Sequence, residues 1–537
     1  MHLDVALSTL VHLLTTPQLL FLMTIAVPMG IFFGSTPGLG GKLGLVLLIP
    51  IVFGMPALTG AVFLCAMHAV VHTGGSIPSI LVGVPGDGPA AATVLDGYAM
   101  TKKGLAGRAL GASFGASTVG GLLGAVFLGL SLSILEPMIL MFSPAEFFLL
   151  ALLGITFIAT LSGNNFLKGL ISGFFGLMVA FIGLDPSTGD ERYTFGQLFL
   201  WDGVSIIVSV LSMFAIPEMI SLGVKGRSFD PAVAAAAAGK SEFVARAAAE
   251  PVSPPARPMK VKVSYAQIWE GMWDVVVHKW LVLRCALLVA AIGVIPGLGG
   301  DAAAWMAYGH TVQSSKNPET FGTGRVEGVI GAETGSCAKE AGSLLPTLFF
   351  GVPGSSGMAI MLGAFLMLGL QPGPTMLTEH LDIVWSLIWA LAIANVICVI
   401  MLVAAAPWIA KLGSVKAGFL IPYVIVLALL GCYIYGGNWQ NLVLIAVMGS
   451  IGYMFKRHDW PRAPFVIGVI LGPIAEDSLL KSLALGGIGF FFRPISMVLV
   501  ALIIGSIAFY IYRSRKPALN KAAAVKQDLG KPEVKHA

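Results

Sequence analysis

The sequence predicts an all-α polytopic membrane protein, with roughly 10–12 transmembrane helices in two inverted-topology repeats that carry broken or re-entrant helices. Three observations predict it. Hydrophobic residues make up 56% of the 537 residues and charged residues 11%, against about 25% charged in a soluble domain; the mean hydropathy is +0.88. Many apolar runs approach or exceed the ~20 residues that cross a bilayer as a helix. Finally, a Gly/Pro cluster occurs twice, half a chain apart.

The clearest spans are 122–135, extended back through small residues from 109, then 147–161, 381–406 and 495–512. Such continuous runs argue against a β-barrel, which needs alternating strands of about ten residues. The 66 glycines suit close helix packing, and Gly107, Gly111 and Gly115 fall on one helical face. Five scattered cysteines without a CxxC pair read as small packing residues.

Charge divides the chain. The Ala/Pro-rich stretch 225–262 holds seven Lys/Arg against three acids, and the tail from Arg513 holds seven basic residues against two. By the positive-inside tendency both are cytoplasmic. The expected domains are an N-terminal membrane repeat (1–224), a cytoplasmic linker (225–263), a C-terminal membrane repeat (264–512) and a basic cytoplasmic tail (513–537). The acidic loop 184–199 then lies outside, and the N-terminus, with no Lys or Arg before Lys42, is expected to stay in place facing the periplasm. Both basic patches abut membrane spans, so nucleic-acid binding is not expected.

Residues 34–41 (GSTPGLGG) are answered by 293–300 (GVIPGLGG), and 78–86 (PSILVGVPG) by 346–354 (PTLFFGVPG). A lone Pro-Gly is most simply a kink; paired breaks in two membrane halves point to a transporter's binding site. Clusters around 34–41, 74–88, 293–300 and 342–356 are predicted to free backbone N–H and C=O groups at membrane depth. The donors and helix N-termini suit an anion, the carbonyls a cation.

Candidate solute-binding residues are Ser35, Thr36, Gly38, Gly40, Ser76, Pro85, Gly86, Gly297, Gly299, Pro353, Gly354, Ser355 and Ser356. Ion-coupling candidates are Asp87, Asp96, Asp301 and Glu333, since an ionisable group inside a span is costly and usually functional. Lys42 would either neutralise an anionic solute or cap a span. Lys339 and Glu340 read as a turn. His68 and His72 share a helical face, and with no third ligand in reach packing is favoured over zinc.

In the front half, Pro37-Gly-Leu-Gly40, Gly74-Gly-Ser-Ile-Pro78, Pro85-Gly86 and Thr93-Val-Leu-Asp-Gly97 resemble the leading motifs of the TctA family. This family is the large membrane subunit of the tripartite tricarboxylate transporters. In the back half, Gly293-Val-Ile-Pro-Gly297, Tyr308, Phe321-Gly322, Glu327-Gly328, Glu333, Gly351-Val-Pro-Gly-Ser355 and Gly369-Leu-Gln-Pro-Gly-Pro374 are similar to its pattern. Leu471-Gly-Pro473, Glu476 and Arg493-Pro494 resemble its C-terminal signature.

The resemblance implies a bacterial inner-membrane permease that imports an organic di- or tricarboxylate on a Na⁺ or H⁺ gradient. A small four-span membrane subunit and a periplasmic binding protein that delivers the solute are its implied partners. No cofactor is implied beyond a co-transported Na⁺. Two departures fall where solute or ion would be held: Asp87-Gly-Pro-Ala-Ala-Ala92 replaces small hydroxyl residues, and Ser336-Cys337 replaces paired asparagines. Citrate itself therefore does not follow.

Lys42 follows a glycine, but Thr36 and Leu43 break the GxxxxGK[ST] pattern, so no nucleotide site is visible. The rival reading is an anion channel or export permease without a binding protein. An enzyme would need a local polar cluster such as HExxH, which is absent from the sequence.

Overall fold

The computed structural model describes residues 3–36, 39–139, 141–161, 166–185, 188–225, 263–295, 299–406, 421–436 and 438–508. The linker beyond Lys225, the basic tail, Gly38 and Gly297 lie outside the described residues.

The front half runs α1 (Leu3–Thr15), α2 (Pro17–Ser35), α3 (Gly40–Val52), α4 (Ala57–Val82), α5 (Ala91–Lys102), α6 (Ala106–Ile139), α7 (Pro144–Leu161) and α8 (Phe166–Ala180). A short antiparallel pair, Gly183–Leu184 with Glu191–Arg192, leads to α9, made of Ile206–Val210, a π turn Leu211–Ala215 and Ile216–Lys225. The back half begins with α10 (Tyr265–Val277), α11 (Lys279–Gly293), α12 (Gly299–Gln313), α13 (Val326–Phe350) and α14 (Ser356–Met367). It ends with α15 (Leu381–Ala404), α16 (Ile421–Gly436), α17 (Gln440–Arg457), α18 (Ala463–Gly486) and α19 (Pro494–Ala508).

This is an all-α polytopic membrane protein. Among the described residues, α2, α4, α6, α15 and α18 are long and apolar enough to cross a bilayer, and α10 and α11 pass the same test only taken together, bent by 72° at their break. Seven shorter apolar helices accompany them. The apolar window of α4 is 89% buried, whereas that of α6 is 44% buried. The first therefore lies in the protein interior and the second keeps an exposed apolar face. α13 is buried almost from end to end despite its Glu, Lys, Ser and Thr side chains.

Small residues set the helix spacing, as membrane packing requires. A Cβ on Gly111 of α6 would collide with the Ile268 carbonyl of α10, and one on Gly120 would lie 2.5 Å from the Thr334 carbonyl of α13. The glycine face at 107, 111 and 115 is thus a packing face.

α4 and α13 end alike. Each carries a proline, Pro78 or Pro346, one turn before a left-handed glycine, Gly83 (φ 71°) or Gly351 (φ 65°), whose N–H bonds back to that proline's carbonyl. This left-handed cap favours glycine because a Cβ is costly there. The predicted breaks at 74–88 and 342–356 are accordingly shorter than expected. Residues 74–82 and 342–350 stay helical, and the chain is open only across 83–90 and 351–355. Proline removes one N–H yet leaves the other rungs intact, so neither helix ends there. Lys339 and Glu340, expected in a turn, lie inside α13 for the same reason.

The π turn in α9 has a local cause. Pro217 has no N–H for the Met213 carbonyl, and Arg462 Nη1 donates to that oxygen at 3.0 Å instead.

Candidate functional site

Both Pro-Gly loops fold back onto their own half. Gly86 N–H donates to the Gly75 carbonyl at 3.1 Å, and a Cβ at Gly86 would strike the Gly34 carbonyl at the end of α2. A Cβ at Gly354 would lie 2.8 Å from Ser343 Cα and 3.0 Å from the Gly293 carbonyl at the end of α11. In each half the second break thus touches the first. Residues 39–43 and 85–89 of the front half and 355–357 of the back half then line one cavity of about 560 Å³.

The cavity wall is charged. His72 Nδ1 lies 2.5 Å from Asp87 Oδ2 and His72 Nε2 2.6 Å from Glu340 Oε1, so one imidazole joins the two halves. Lys339 Nζ pairs with Glu340, and His68 Nε2 is 3.0 Å from Glu340 Oε2 at an angle that makes no hydrogen bond. Glu218 of α9 pairs with Lys456 and with Arg462 Nη2 at 3.0 Å. Buried charges survive only when paired in this way. Lys42 is exposed on the same wall and forms no ion pair among the described residues.

Two helix N-termini begin at the loops. Asp87 Oδ1 accepts from Ala90 N–H at 3.2 Å at the start of α5, and Ser355 Oγ accepts from Met358 N–H at 3.2 Å at the start of α14. Such ends present free N–H groups and a positive dipole end.

The predicted solute-binding residues divide. Gly40, Pro85, Gly86, Ser355 and Ser356 line the cavity. Ser35 and Thr36 are buried with their hydroxyls on the Phe32 carbonyl, at 3.2 and 2.8 Å. Ser76, inside α4, donates to the Thr73 carbonyl and meets Ser113 Oγ at 2.7 Å. Pro353 and Gly354 are buried behind Ser355. Gly299 opens α12, and Asp301 lies in its first turn.

The ion-coupling candidates separate as well. Asp87 lies on the cavity wall. Asp96 instead ties α5 to the loop before α13: Oδ1 accepts from the Gly322, Gly324 and Arg325 N–H groups at 2.9, 2.8 and 2.8 Å, and Oδ2 from Tyr308 OH at 2.9 Å. Glu333, fully buried in α13, accepts from Thr93 Oγ1 on one oxygen and from Ser117 Oγ at 2.9 Å on the other.

Sequence reasoning missed His68, His72, Glu218, Lys339, Glu340 and Arg462. The histidines were expected to pack, yet His72 bridges Asp87 and Glu340. A signal was available, because His72 and Glu340 stand 268 residues apart, the same interval as Pro78 to Pro346.

Among curated proteins, the chain is similar to an uncharacterized 52.8 kDa protein in the TAR-I ttuC′ 3′ region of Agrobacterium vitis. The two are 29% identical over 490 residues, covering 90% of this chain and 92% of that protein. An uncharacterized protein in the TAR-II ttuC′ 3′ region of the same organism is 34% identical over 193 residues, 36% of this chain and 79% of that protein. No solved structure matches the chain. The family model described as the tripartite tricarboxylate transporter TctA family matches residues 20–467. With broken helices meeting around a charged cavity and a family match across most of its length, the chain belongs to the TctA family of membrane transport proteins.

Proposed function

We propose that the chain is the permease subunit of a secondary active importer for an organic carboxylate. It sits in the bacterial inner membrane with its N-terminus in the periplasm and its C-terminus in the cytoplasm. A periplasmic binding protein delivers the solute, and a small four-span membrane subunit completes the complex. The observation that carries this reading is the convergence of front-half and back-half breaks on one cavity.

In this reading the solute carboxylate lies at the N-terminus of α14, with Ser355, Ser356, Lys42 and His68 around it. Helix ends and oriented N–H groups favour an anion there. Glu333 with Thr93 and Ser117 serves the co-transported Na⁺ or H⁺, since a buried carboxylate fed only by hydroxyls keeps oxygens available to a small cation. Each charge moved down the membrane potential supplies ~2.3 kcal/mol per 100 mV, so a few ions drive steep accumulation.

The test is uptake in vesicles containing the protein with its partner subunit and binding protein. Concentrative, saturable uptake of a labelled organic acid under an imposed Na⁺ or pH gradient is expected. Non-saturating flux without the binding protein would make it a channel. A thermal-shift screen of organic acids on the binding protein would identify the solute.

A further inference from the structure

The two loops match in path and differ in charge. Pro85-Gly86-Asp87 and Pro353-Gly354-Ser355 occupy equivalent places after the left-handed caps at Gly83 and Gly351. The third residue of each accepts a backbone N–H three residues on, both at 3.2 Å: Ser355 caps α14 through Met358, and Asp87 takes the N–H of Ala90, just before α5. Each helix has 12 residues, long enough to present a real dipole end.

Before α5 the accepting group is a carboxylate of the chain's own. Asp87 meets that end through Oδ1 and His72 through Oδ2, so both the dipole and the imidazole are already satisfied by an anion. At α14 the cap is only a hydroxyl. His68 packs there, its Cε1 2.8 Å from where a Cβ on Gly357 would be. It is 4% exposed and lines the cavity; Nε2 faces Glu340 Oε2 at 3.0 Å, and Nδ1 has no hydrogen-bond partner. Lys42 on the same wall lacks an ion pair among the described residues. One end is complete, while at the other His68 Nδ1 is a buried ring nitrogen without a partner, which is costly unless a ligand supplies one.

We propose that Asp87 occupies the place of one substrate carboxylate, so that the cavity takes an acid with a single carboxylate, bound at the N-terminus of α14. A second carboxylate on the solute would be driven against Asp87, and like charges in a partly dry site repel strongly. The proposal rests on the carboxylate-carrier reading above and narrows its substrate class.

The experiment is equilibrium binding to the purified full-length protein in lipid nanodiscs. Lactate and benzoate serve as monocarboxylate probes, succinate and citrate as polycarboxylates. The unaltered protein is expected to bind the monocarboxylates more tightly. Asp87→Ser, and Asp87→Asn, which keeps an acceptor for Ala90 N–H, are expected to shift the succinate-to-lactate affinity ratio toward succinate by about tenfold or more. Ser355→Asp, which mirrors Asp87 at the other loop, is expected to abolish binding of both classes.

Succinate or citrate binding the unaltered protein as tightly as lactate would overturn the proposal, even if no variant folds. A ratio unchanged in the Asp87 variants that fold would also overturn it, leaving the carrier reading standing. Binding of none of the four acids to the unaltered protein would remove the carrier reading and the proposal together.

Discussion

His72 of α4 and Glu340 of α13 occupy equivalent positions in the two halves and meet each other, Nε2 to Oε1, at 2.6 Å. The interval of 268 residues between them also separates Pro78 from Pro346 and Gly83 from Gly351. One contact therefore joins the two halves of the chain at the cavity wall, and the other imidazole nitrogen meets Asp87.

Glu340 is the shared partner of His68, His72 and Lys339. Glu340→Ala is expected to destabilise the protein by about 3–5 kcal/mol, because three buried basic groups lose their anion. Glu340→Gln, which keeps the shape and an acceptor, is expected to cost clearly less. Thermal unfolding of detergent-solubilised protein measures the difference.

Gly86→Val and Gly354→Val are expected to abolish uptake while the protein still inserts. Each branched side chain enters space held by backbone of the first break, at the Gly34 carbonyl or at Ser343 and the Gly293 carbonyl. Gly40→Ala is the control. It meets nothing within 4 Å, although φ is +64°, so only strain of about 1 kcal/mol is expected. Vesicle uptake and membrane fractionation check all three.

Asp96 is expected to act as a clamp. Its carboxylate is filled by three backbone donors and Tyr308. Asp96→Ala is expected to lower stability by roughly 3 kcal/mol and Tyr308→Phe by about 1 kcal/mol. The ion dependence of the remaining transport is expected to stay unchanged in both. Unfolding curves and uptake against Na⁺ concentration and pH report on the two claims separately.

Glu333→Gln is expected to uncouple transport. The amide still accepts from one hydroxyl but carries no charge for a cation to neutralise. Counterflow of labelled solute is expected to continue, while accumulation driven by an imposed ion gradient falls to background. Gradient-driven uptake at the normal level would leave Glu333 without a coupling role.

Much of this was legible in the sequence. Apolar runs located the spans, and three of the four Pro-Gly clusters, at 34–41, 74–88 and 342–356, contribute residues to the cavity wall, because proline and glycine act through backbone rules that need no tertiary context. Helix persistence past Pro78 and Pro346 was not legible. One missing N–H is a local loss, and the packed surroundings of α4 and α13 outweigh it. Ser35, Thr36 and Ser76 drew attention as hydroxyls beside the breaks, yet each satisfies itself on a nearby carbonyl or serine. Lys339 and Glu340 were missed because adjacent opposite charges usually mark a solvated turn, whereas here they neutralise each other inside a helix. Asp96 looked like a coupling group, and only the folded chain shows the loop that occupies it.

The meeting of His72 with Glu340 bears on assembly. The two side chains stand 268 residues apart in the chain, so their contact forms only once both halves are in place. A polypeptide ending before α13 would leave His72 without Glu340 and the cavity wall unfinished.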